Sequence, residues 1–428
     1  MRLKDKSDSY RKKLMKLRDK AHKEREDFEE DFEKLSEKYG DLLASVPDLL
    51  AIFDGCFPSP RQSNGGVIRE GALDPSARSQ DDKGKYAFRF PKGYRPDARS
   101  WPLIISVPPK EKGGWMRGKD YLEASWPKDA EEVAGEFVHV APDFPAGLEL
   151  GATVDQLKGD EKETQRRSRL LQTLAQVFEE FRIDTDRVFI EACGDSTPFA
   201  LRLASLFPDR FAGLVLKNPT STANCTPQNL GGVAVLVIHD AAHKDKAEAL
   251  KKMLPACDLI AADGEVPFGA KAGEIGQWLA KQKRDLFPAK VTLAPAHELY
   301  RKAYWVDISA MEELGKASLE DRPMVEVTAD RATNKITIKS KKVSDVRLFL
   351  NDAIVDLDKE IAIDRNGQVM QVKLARNKRL LWDPREGLVF RRGDPRYLFV
   401  AVAVVPVPAP EGEAKEADSP KDGGTGEK

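Results

Sequence analysis

A chain of 428 residues is too long for one ordinary domain and fits two folded cores with additional segments. Hydrophobic residues make up 41% of it, enough for buried cores, whereas 32% charged residues predicts solvated helices or tails that bury little. A net charge of -1 gives no overall field that would attract nucleic acid or anionic lipid, so neither partner is expected.

The four cysteines, Cys56, Cys193, Cys225 and Cys257, form no C-x-x-C pair. This spacing argues against a zinc ribbon, a redox motif or a disulfide framework and favours buried reduced thiols. The first residues contain no apolar stretch typical of a signal peptide, and the absence of a long apolar run predicts no membrane span. The sequence as written therefore predicts a cytoplasmic protein, and a misassigned start would leave a periplasmic location open.

Residues 1–45 have helical spacing, with Leu14, Leu17, Ala21, Phe28 and Phe32 recurring at intervals of three, four or seven. Charge is segregated along this helix: residues 1–23 hold ten Lys or Arg against three Asp or Glu, and residues 24–37 hold eight acids against two bases. Antiparallel pairing of these halves, as in a coiled coil, predicts a homo-oligomer. The alternative is a helix that lies along its own domain with a solvated face.

Residues 46–84 are expected to be a connector, because 56–84 is rich in Pro, Gly, Ser and charge. Between residues 85 and 287 apolar strands alternate with helices, which is the rhythm of a doubly wound parallel sheet. The predicted strands are 86–91, 101–107, 136–144, 186–192, 211–219, 233–240 and 258–262. The predicted helices are 126–133, 160–181, 197–206, 245–253 and 273–283.

Residues 288–405 change to short runs rich in β-forming residues between turn signals, which predicts a small β-sandwich. These runs are 324–329, 335–340, 345–350, 361–375 and 397–405. Asn366 and Gly367 separate two alternating segments and are the favoured pair of a two-residue type I′ hairpin. Residues 406–428 contain no apolar residue larger than valine and are expected to form a disordered tail.

The stretch DRVFIEACGDSTPFALRLASLFPDRFAGLVLKNP, residues 186–219, resembles the nucleophile region of α/β-hydrolases of the esterase, polyhydroxyalkanoate-depolymerase and prolyl-oligopeptidase-like type. The resemblance spans roughly residues 85–400 and implies an α/β fold with an α/β-hydrolase-like doubly wound sheet. In such enzymes the serine of G-x-S-x-G lies at the apex of a strained strand-to-helix turn. Aligning the motif places Ala192 to Ser196 on its five positions, so Gly194 stands at the apex without a group to form an acyl-enzyme.

Three further positions of the family's site are also changed. His243 stands where the resemblance expects the acid that orients the catalytic histidine, and Glu265 stands at the place of that histidine. The oxyanion loop carries Pro108 and Pro109, and proline has no N–H to donate. Of the five histidines, only His239 and His243 are expected near the carboxyl ends of the strands, where such sheets bind ligands.

The resemblance thus implies a catalytically degenerate hydrolase homologue that acts as a binding or scaffolding protein for an unknown small molecule or protein. The alternative is an active esterase or peptidase with a relocated nucleophile, Ser196 or Cys193, and His243 as its base. Otherwise Ser196 and Asp195 are expected to cap the following helix, since both residue types favour that position.

A third reading is a ligand or carbohydrate binder that uses the old substrate cleft. The residues expected to line this cleft are Pro108, Pro109, Trp115, Asp195 and His239. No cofactor is predicted, and no metal is predicted because the polar residues at 239–245 lack metal-site spacing with a third ligand.

Overall fold

The computed structural model describes residues 25–53, 65–73, 84–95, 99–111, 114–127, 136–144, 161–221, 225–254, 256–298, 300–314, 321–382 and 397–410. The basic half of the N-terminal helix, most of the helix predicted at 126–133 and residues 411–428 of the tail lie outside these ranges. A helix instead occupies Gly118–Ser125, just before the predicted one.

The first ten strands are β1 (Ile68–Ala72), β2 (Lys85–Arg89), β3 (Trp101–Val107), β4 (Lys110–Glu111), β5 (Gly114–Trp115), β6 (Val138–Pro142), β7 (Ile183–Cys193), β8 (Gly213–Lys217), β9 (Ala234–His239) and β10 (Cys257–Ala261). Among the described residues, eight of them form one sheet in the order β1-β2-β6-β3-β7-β8-β9-β10, and β4 pairs with β5 as a hairpin. Strand β2 is antiparallel to its neighbours β1 and β6. The other strands of the sheet, β6, β3, β7, β8, β9 and β10, run parallel to one another. This strand order confirms the α/β-hydrolase-like sheet.

Within the described residues the α-helices are α1 (Arg25–Tyr39), α2 (Val46–Phe53), α3 (Gly118–Ser125), α4 (Glu161–Glu180), α5 (Thr197–Leu206), α6 (Lys244–Met253), α7 (Ala272–Ala280) and α8 (Arg379–Trp382). Helices α4, α5 and α6 share a hydrophobic core with one face of the main sheet, and α3 and α7 share a core with the other. In α4, Leu170, Leu174 and Val177 are buried at helical spacing against the sheet. The sheet is therefore covered on both faces, which explains its continuous apolar strands.

The remaining strands are β11 (Lys290–Leu293), β12 (Lys302–Ala303), β13 (Val306–Met311), β14 (Met324–Asp330), β15 (Lys335–Lys341), β16 (Val343–Leu350), β17 (Ile361–Arg365), β18 (Gln368–Val372) and β19 (Ala401–Pro406). Within the described ranges they form a five-stranded sheet, β11-β14-β15-β17-β18, and a four-stranded sheet, β12-β13-β16-β19. The two sheets share one hydrophobic core, as expected for a β-sandwich. Asn366 and Gly367 join β17 to β18 with φ of 48° and 93°, the signs that a type I′ turn requires.

The structure differs from the predicted connector over part of residues 46–84. Helix α2 lies there because Leu49 and Ile52 are fully buried in the β-sandwich core. Strand β1 also lies there and extends the main sheet through its ladder with β2. Its side chains are mostly exposed, so the sequence has no alternating apolar pattern to reveal a strand held by backbone hydrogen bonds.

Helix α1 lies along its own chain. Phe32 and Leu35 are buried in the β-sandwich core, and Lys378 pairs with Glu29 and Glu33 on the same helix. In the described part of the predicted N-terminal helix, the structure therefore matches the alternative, a helix that lies along its own domain. The prediction of self-association now depends on residues 1–24, which lie outside the described ranges. No helix in the described part of the chain combines the length and apolarity needed to cross a membrane.

Candidate functional site

The predicted elbow is present where β7 passes into α5. Gly194 begins a single 3-10 turn between them and has φ of +56°, a left-handed conformation that glycine adopts without steric cost. A Cβ built on Gly194 would have the Cβ of Pro109, 4.0 Å away, as its nearest heavy atom within the described ranges. The apex therefore has room for a side chain but carries none.

Ser196 is fully buried and ties the ends of two strands together. Its hydroxyl accepts a hydrogen bond from the N–H of Cys193 at 2.9 Å and lies 2.8 Å from the carbonyl oxygen of Val107, to which it donates. Ser196 stands at the N-cap position of α5, as expected, but its hydroxyl turns back toward the strands and makes no cap bond to the helix. Asp195 is exposed at the start of the same turn.

Cys193, the other relocated-nucleophile candidate, is fully buried next to the apex. Burial raises the pKa of its thiol to about 12, and the opposing effect of the Lys217 ammonium is smaller. Because the thiolate is the nucleophilic form, this thiol has almost none of the reactive species near neutral pH.

Alkylation tests the state of the cysteines directly. We expect iodoacetamide at pH 8 to leave Cys193, Cys225 and Cys257 unmodified in the native protein, because burial raises their pKa values to about 12, 11 and 11. The same residues should react fully after denaturation, which peptide mass mapping would record. Rapid modification of Cys193 in the folded protein would contradict its burial and revive it as a nucleophile.

An ordered imidazole lies beyond the elbow, at the end of β9. His243 Nδ1 is 2.8 Å from Asp240 Oδ1, and Asn218 Nδ2 donates to Asp240 Oδ2 at 2.7 Å. The hydrogen bond from His243, with a further one from Asn218, lowers the pKa of Asp240 from its ordinary value. Because the carboxylate accepts, Nδ1 of His243 carries the proton and Nε2 presents a lone pair in the neutral ring.

His239 is oriented in the same way. Its Nδ1 is 3.0 Å from the backbone oxygen of Asp240, and a carbonyl oxygen can only accept a hydrogen bond. Nε2 of the neutral ring is therefore an acceptor here too. In the part of the chain that the structure describes, no hydroxyl or thiol hydrogen-bonds to His239 or His243.

The remaining predicted positions separate into two groups. Pro108 and Pro109 directly follow β3, and the Pro109 carbonyl accepts from the N–H of Met116 at 3.0 Å. This bond holds the β4–β5 hairpin beside the elbow, with the half-buried ring of Trp115 5.7 Å from that of Phe144. Glu265, in contrast, is exposed in the loop after β10.

Sequence reasoning missed a fully buried ion pair beneath the elbow, between Glu191 of β7 and Lys217 of β8. The Glu191 carboxylate also accepts from Ser106 at 2.6 Å, Ser125 at 2.8 Å and the indole N–H of Trp126 at 3.0 Å. Burial would raise the pKa of Glu191, but Lys217 and these donors together lower it. The signal was a single charged residue in the buried apolar part of each strand, Glu191 within VFIEAC of β7 and Lys217 at the end of GLVLK in β8.

A second cluster of acids lies in the β16–β17 loop of the sandwich, where Asp352, Asp356 and Asp358 approach one another. The Arg376 guanidinium pairs with both Asp352 and Asp358, and Lys359 pairs with Asp356. Because Arg376 and Lys359 balance the charge of the three aspartates, we assign no metal site to this acidic cluster.

No family model matches the sequence, and no curated protein matches it. Solved structures do match: a thermostable esterase is 16% identical over 51% of this chain and 63% of that one, with a TM-score of 0.39. An S-formylglutathione hydrolase from Agrobacterium tumefaciens is 16% identical over 52% of this chain and 98% of that one, with a TM-score of 0.38. Esterase 2 of Thermogutta terrifontis is 14% identical over 50% and 94%, with a TM-score of 0.36.

The match with the thermostable esterase spans less than two thirds of that protein. At these identities the similarity concerns the fold alone. The strand order and the elbow, taken from this chain itself, define an α/β-hydrolase-like fold.

Proposed function

We propose that this protein is a catalytically degenerate α/β-hydrolase-like protein that binds a ligand or a protein partner instead of cleaving a substrate. One observation carries the proposal: Gly194 keeps the left-handed elbow but brings no oxygen or sulfur to its open apex. The two candidates for a relocated nucleophile, Cys193 and Ser196, are both fully buried. Fold alone does not confer an activity, so the proposal rests on this site.

The other parts of a serine-hydrolase mechanism support the same conclusion. His243 is held by Asp240, but no hydroxyl or thiol in the described ranges lies in hydrogen-bond contact with it. The loop after β3 begins with Pro108 and Pro109, which have no N–H to place toward an oxyanion. An oriented imidazole without a nucleophile is suited to ligand recognition.

A fluorophosphonate serine probe tests the proposal. We expect no labelling of the wild-type protein and no turnover of short acyl esters. Gly194→Ser should restore the apex oxygen without useful activity, because no base contacts it. Ser196→Ala should leave the absence of labelling unchanged and lower the free energy of unfolding by about 1–3 kcal/mol, since two buried backbone groups lose their partner.

The opposite results would identify an active enzyme with a relocated nucleophile. Ester hydrolysis that Ser196→Ala abolishes would assign Ser196 as that nucleophile, and probe mass on a peptide containing Cys193 would assign the cysteine. An active serine hydrolase included in the same assay controls for probe quality.

We also propose, as part of a scaffolding role, that residues 1–23 contribute to self-association. Their ten basic residues are complementary to the acidic stretch 24–37 of a second copy. Since Phe32 and Leu35 are buried against the chain's own β-sandwich, such contacts would use charge more than the apolar stripe.

A further inference from the structure

We infer that Asn366 is a site of spontaneous covalent modification, deamidation to aspartate or isoaspartate, and that this modification releases the segment after β19 from the rest of the β-sandwich. The site lies in the turn between β17 and β18, so it is independent of the function proposed for the elbow. Two features point to it: the glycine that follows Asn366, and the contacts that the Asn366 side-chain amide makes.

The chemistry needs only the Asn366–Gly367 pair and water. The backbone nitrogen of Gly367 attacks the side-chain Cγ of Asn366, so that a C–N bond forms and the amide nitrogen leaves as ammonia with the proton of Gly367. Water then opens the resulting succinimide ring at either carbonyl, which gives aspartate or isoaspartate. Glycine has no Cβ to hinder this ring closure. Gly367 is also exposed, and a Cβ built on it would meet no heavy atom within 4 Å in the described ranges.

The Asn366 amide joins three parts of the β-sandwich. Its Nδ2 donates to the backbone oxygen of Pro408 at 2.7 Å and to Ser340 Oγ at 3.1 Å, and its Oδ1 accepts from the backbone N–H of Ser340 at 2.9 Å. Ser340 belongs to β15, and Pro408 follows the end of β19. One neutral side chain therefore connects the turn, the five-stranded sheet and the segment that leaves the four-stranded sheet.

A carboxylate cannot keep the contact with Pro408. An ionised carboxylate and a carbonyl oxygen both only accept hydrogen bonds, so the 2.7 Å contact would become a repulsion between two acceptors. Isoaspartate also adds an atom to the main chain inside the turn and so disrupts its type I′ geometry. The modified chain keeps only the bonds from Arg365 to the Pro406 oxygen and from the Val407 N–H to the Ser344 oxygen among those described for this segment.

The intact turn slows its own modification. Gly367 donates its N–H to Asp364 Oδ1 at 3.0 Å, and the Asn366 amide is held by three bonds, so the attacking nitrogen and the attacked carbon are both restrained. Reaction therefore needs local opening of the hairpin, and β18 lies at the edge of its sheet, with β17 as its neighbour in the described part of the chain. Because ammonia escapes into solution, a turn that has reacted stays altered. The turn thus acts as a one-way switch.

Ageing of the full chain at 37 °C and mildly alkaline pH tests the site. We expect peptide mass mapping to show a gain of about one dalton at Asn366, and methylation by a protein isoaspartyl methyltransferase to detect isoaspartate in the same peptide. In urea this peptide should react about tenfold faster or more, because the turn no longer restrains the reacting atoms.

Asn334 is the matched control within the same chain. It also has positive φ, 53° against 48° for Asn366, and its side chain also makes three hydrogen bonds, to the N–H and oxygen of Asp356 and the oxygen of Glu360. The residue that follows it is Lys335, whose side chain hinders ring closure. The peptide that contains Asn334 should therefore stay unmodified over the same period.

Asn366→Asp reproduces the modified side chain directly. We expect amide hydrogen exchange at Val407 to become about tenfold faster than in the wild type, with exchange in the main sheet unchanged. Unchanged exchange at Val407 would overturn the release of the segment. Equal modification of Asn366 and Asn334, or an unmodified Asn366 in folded chain aged until the urea sample has reacted fully, would overturn the site. Equal rates with and without urea would show that the turn does not restrain the reaction and would overturn the switch.

Discussion

Lys217→Met is expected to lower the free energy of unfolding by about 3–5 kcal/mol, because it leaves a buried carboxylate without its counter-charge. Glu191 and Lys217 both have fully buried side chains, and Ser125 bonds to both of them. Water cannot replace the lost ammonium at this depth. Glu191→Gln is expected to be similarly severe, because it leaves the ammonium unpaired.

The double variant Glu191→Gln/Lys217→Met separates charge from packing. Both substitutions preserve the approximate side-chain volume, so the double variant should be more stable than either single variant. The exposed pair Arg99–Glu136 provides a matched control, and Glu136→Gln should change stability by no more than about 1 kcal/mol. Urea unfolding followed by circular dichroism measures the four variants and the wild type. A loss below about 1 kcal/mol for Lys217→Met would contradict the buried pairing.

The Glu191–Lys217 ion pair also lies next to the elbow. Cys193 and Lys217 are partners in the ladder between β7 and β8, so the ammonium lies beneath the residue that precedes the apex. The next residue after Lys217 is Asn218, which holds Asp240 in place. Loss of the Glu191–Lys217 pair is therefore expected to disturb the hydrogen bonds among Asn218, Asp240 and His243 as well as the core.

Most of the fold could be predicted from the sequence because its elements have local signals. Helix α5 was predicted with the bounds Thr197–Leu206 that the structure has, and β3 was predicted as an apolar run that the sheet buries on both faces. The Asn366–Gly367 turn needs positive φ at both positions, a requirement that few other residue pairs meet. Periodicity and turn chemistry are properties of neighbouring residues and need no knowledge of distant contacts.

The features that escaped prediction depend on contacts between distant residues. Strand β1 is held by its backbone ladder with β2 more than by burial of its side chains. Helix α2 is held by packing against the β-sandwich, whose strands lie more than two hundred residues later in the chain. The pairing of Glu191 with Lys217 likewise requires two strands to be adjacent in register.

The candidate site was predictable in its outline but not in its hydrogen bonds. The open apex at Gly194 follows from the aligned motif. The burial of Ser196 does not, because it depends on the Val107 carbonyl of a different strand. Sequence reasoning treated His243 as a replaced acid, whereas the structure pairs it with Asp240 three residues earlier.

Asp209→Ala is expected to have the second large effect, a loss of about 2–4 kcal/mol in the free energy of unfolding, because buried donors lose a charged acceptor. Asp209 lies in the FPDRF segment directly after α5 and is only 3% exposed. Its carboxylate accepts from the hydroxyl of Tyr397 at 2.7 Å and the backbone N–H of Tyr304 at 3.2 Å. Both donors belong to the C-terminal part of the chain, so this side chain joins the main sheet to the β-sandwich.

Tyr397→Phe is the graded control, because it removes one donor and keeps the carboxylate, and it should lose only about 1 kcal/mol. Chemical denaturation monitored separately by fluorescence and circular dichroism would show whether Asp209→Ala also splits one transition into two. Equal losses for the two variants would mean that the carboxylate contributes nothing beyond the tyrosine bond. A larger loss for Asp209→Ala, with separated transitions, would show that the segment after the elbow helix couples the stability of the main sheet to that of the β-sandwich.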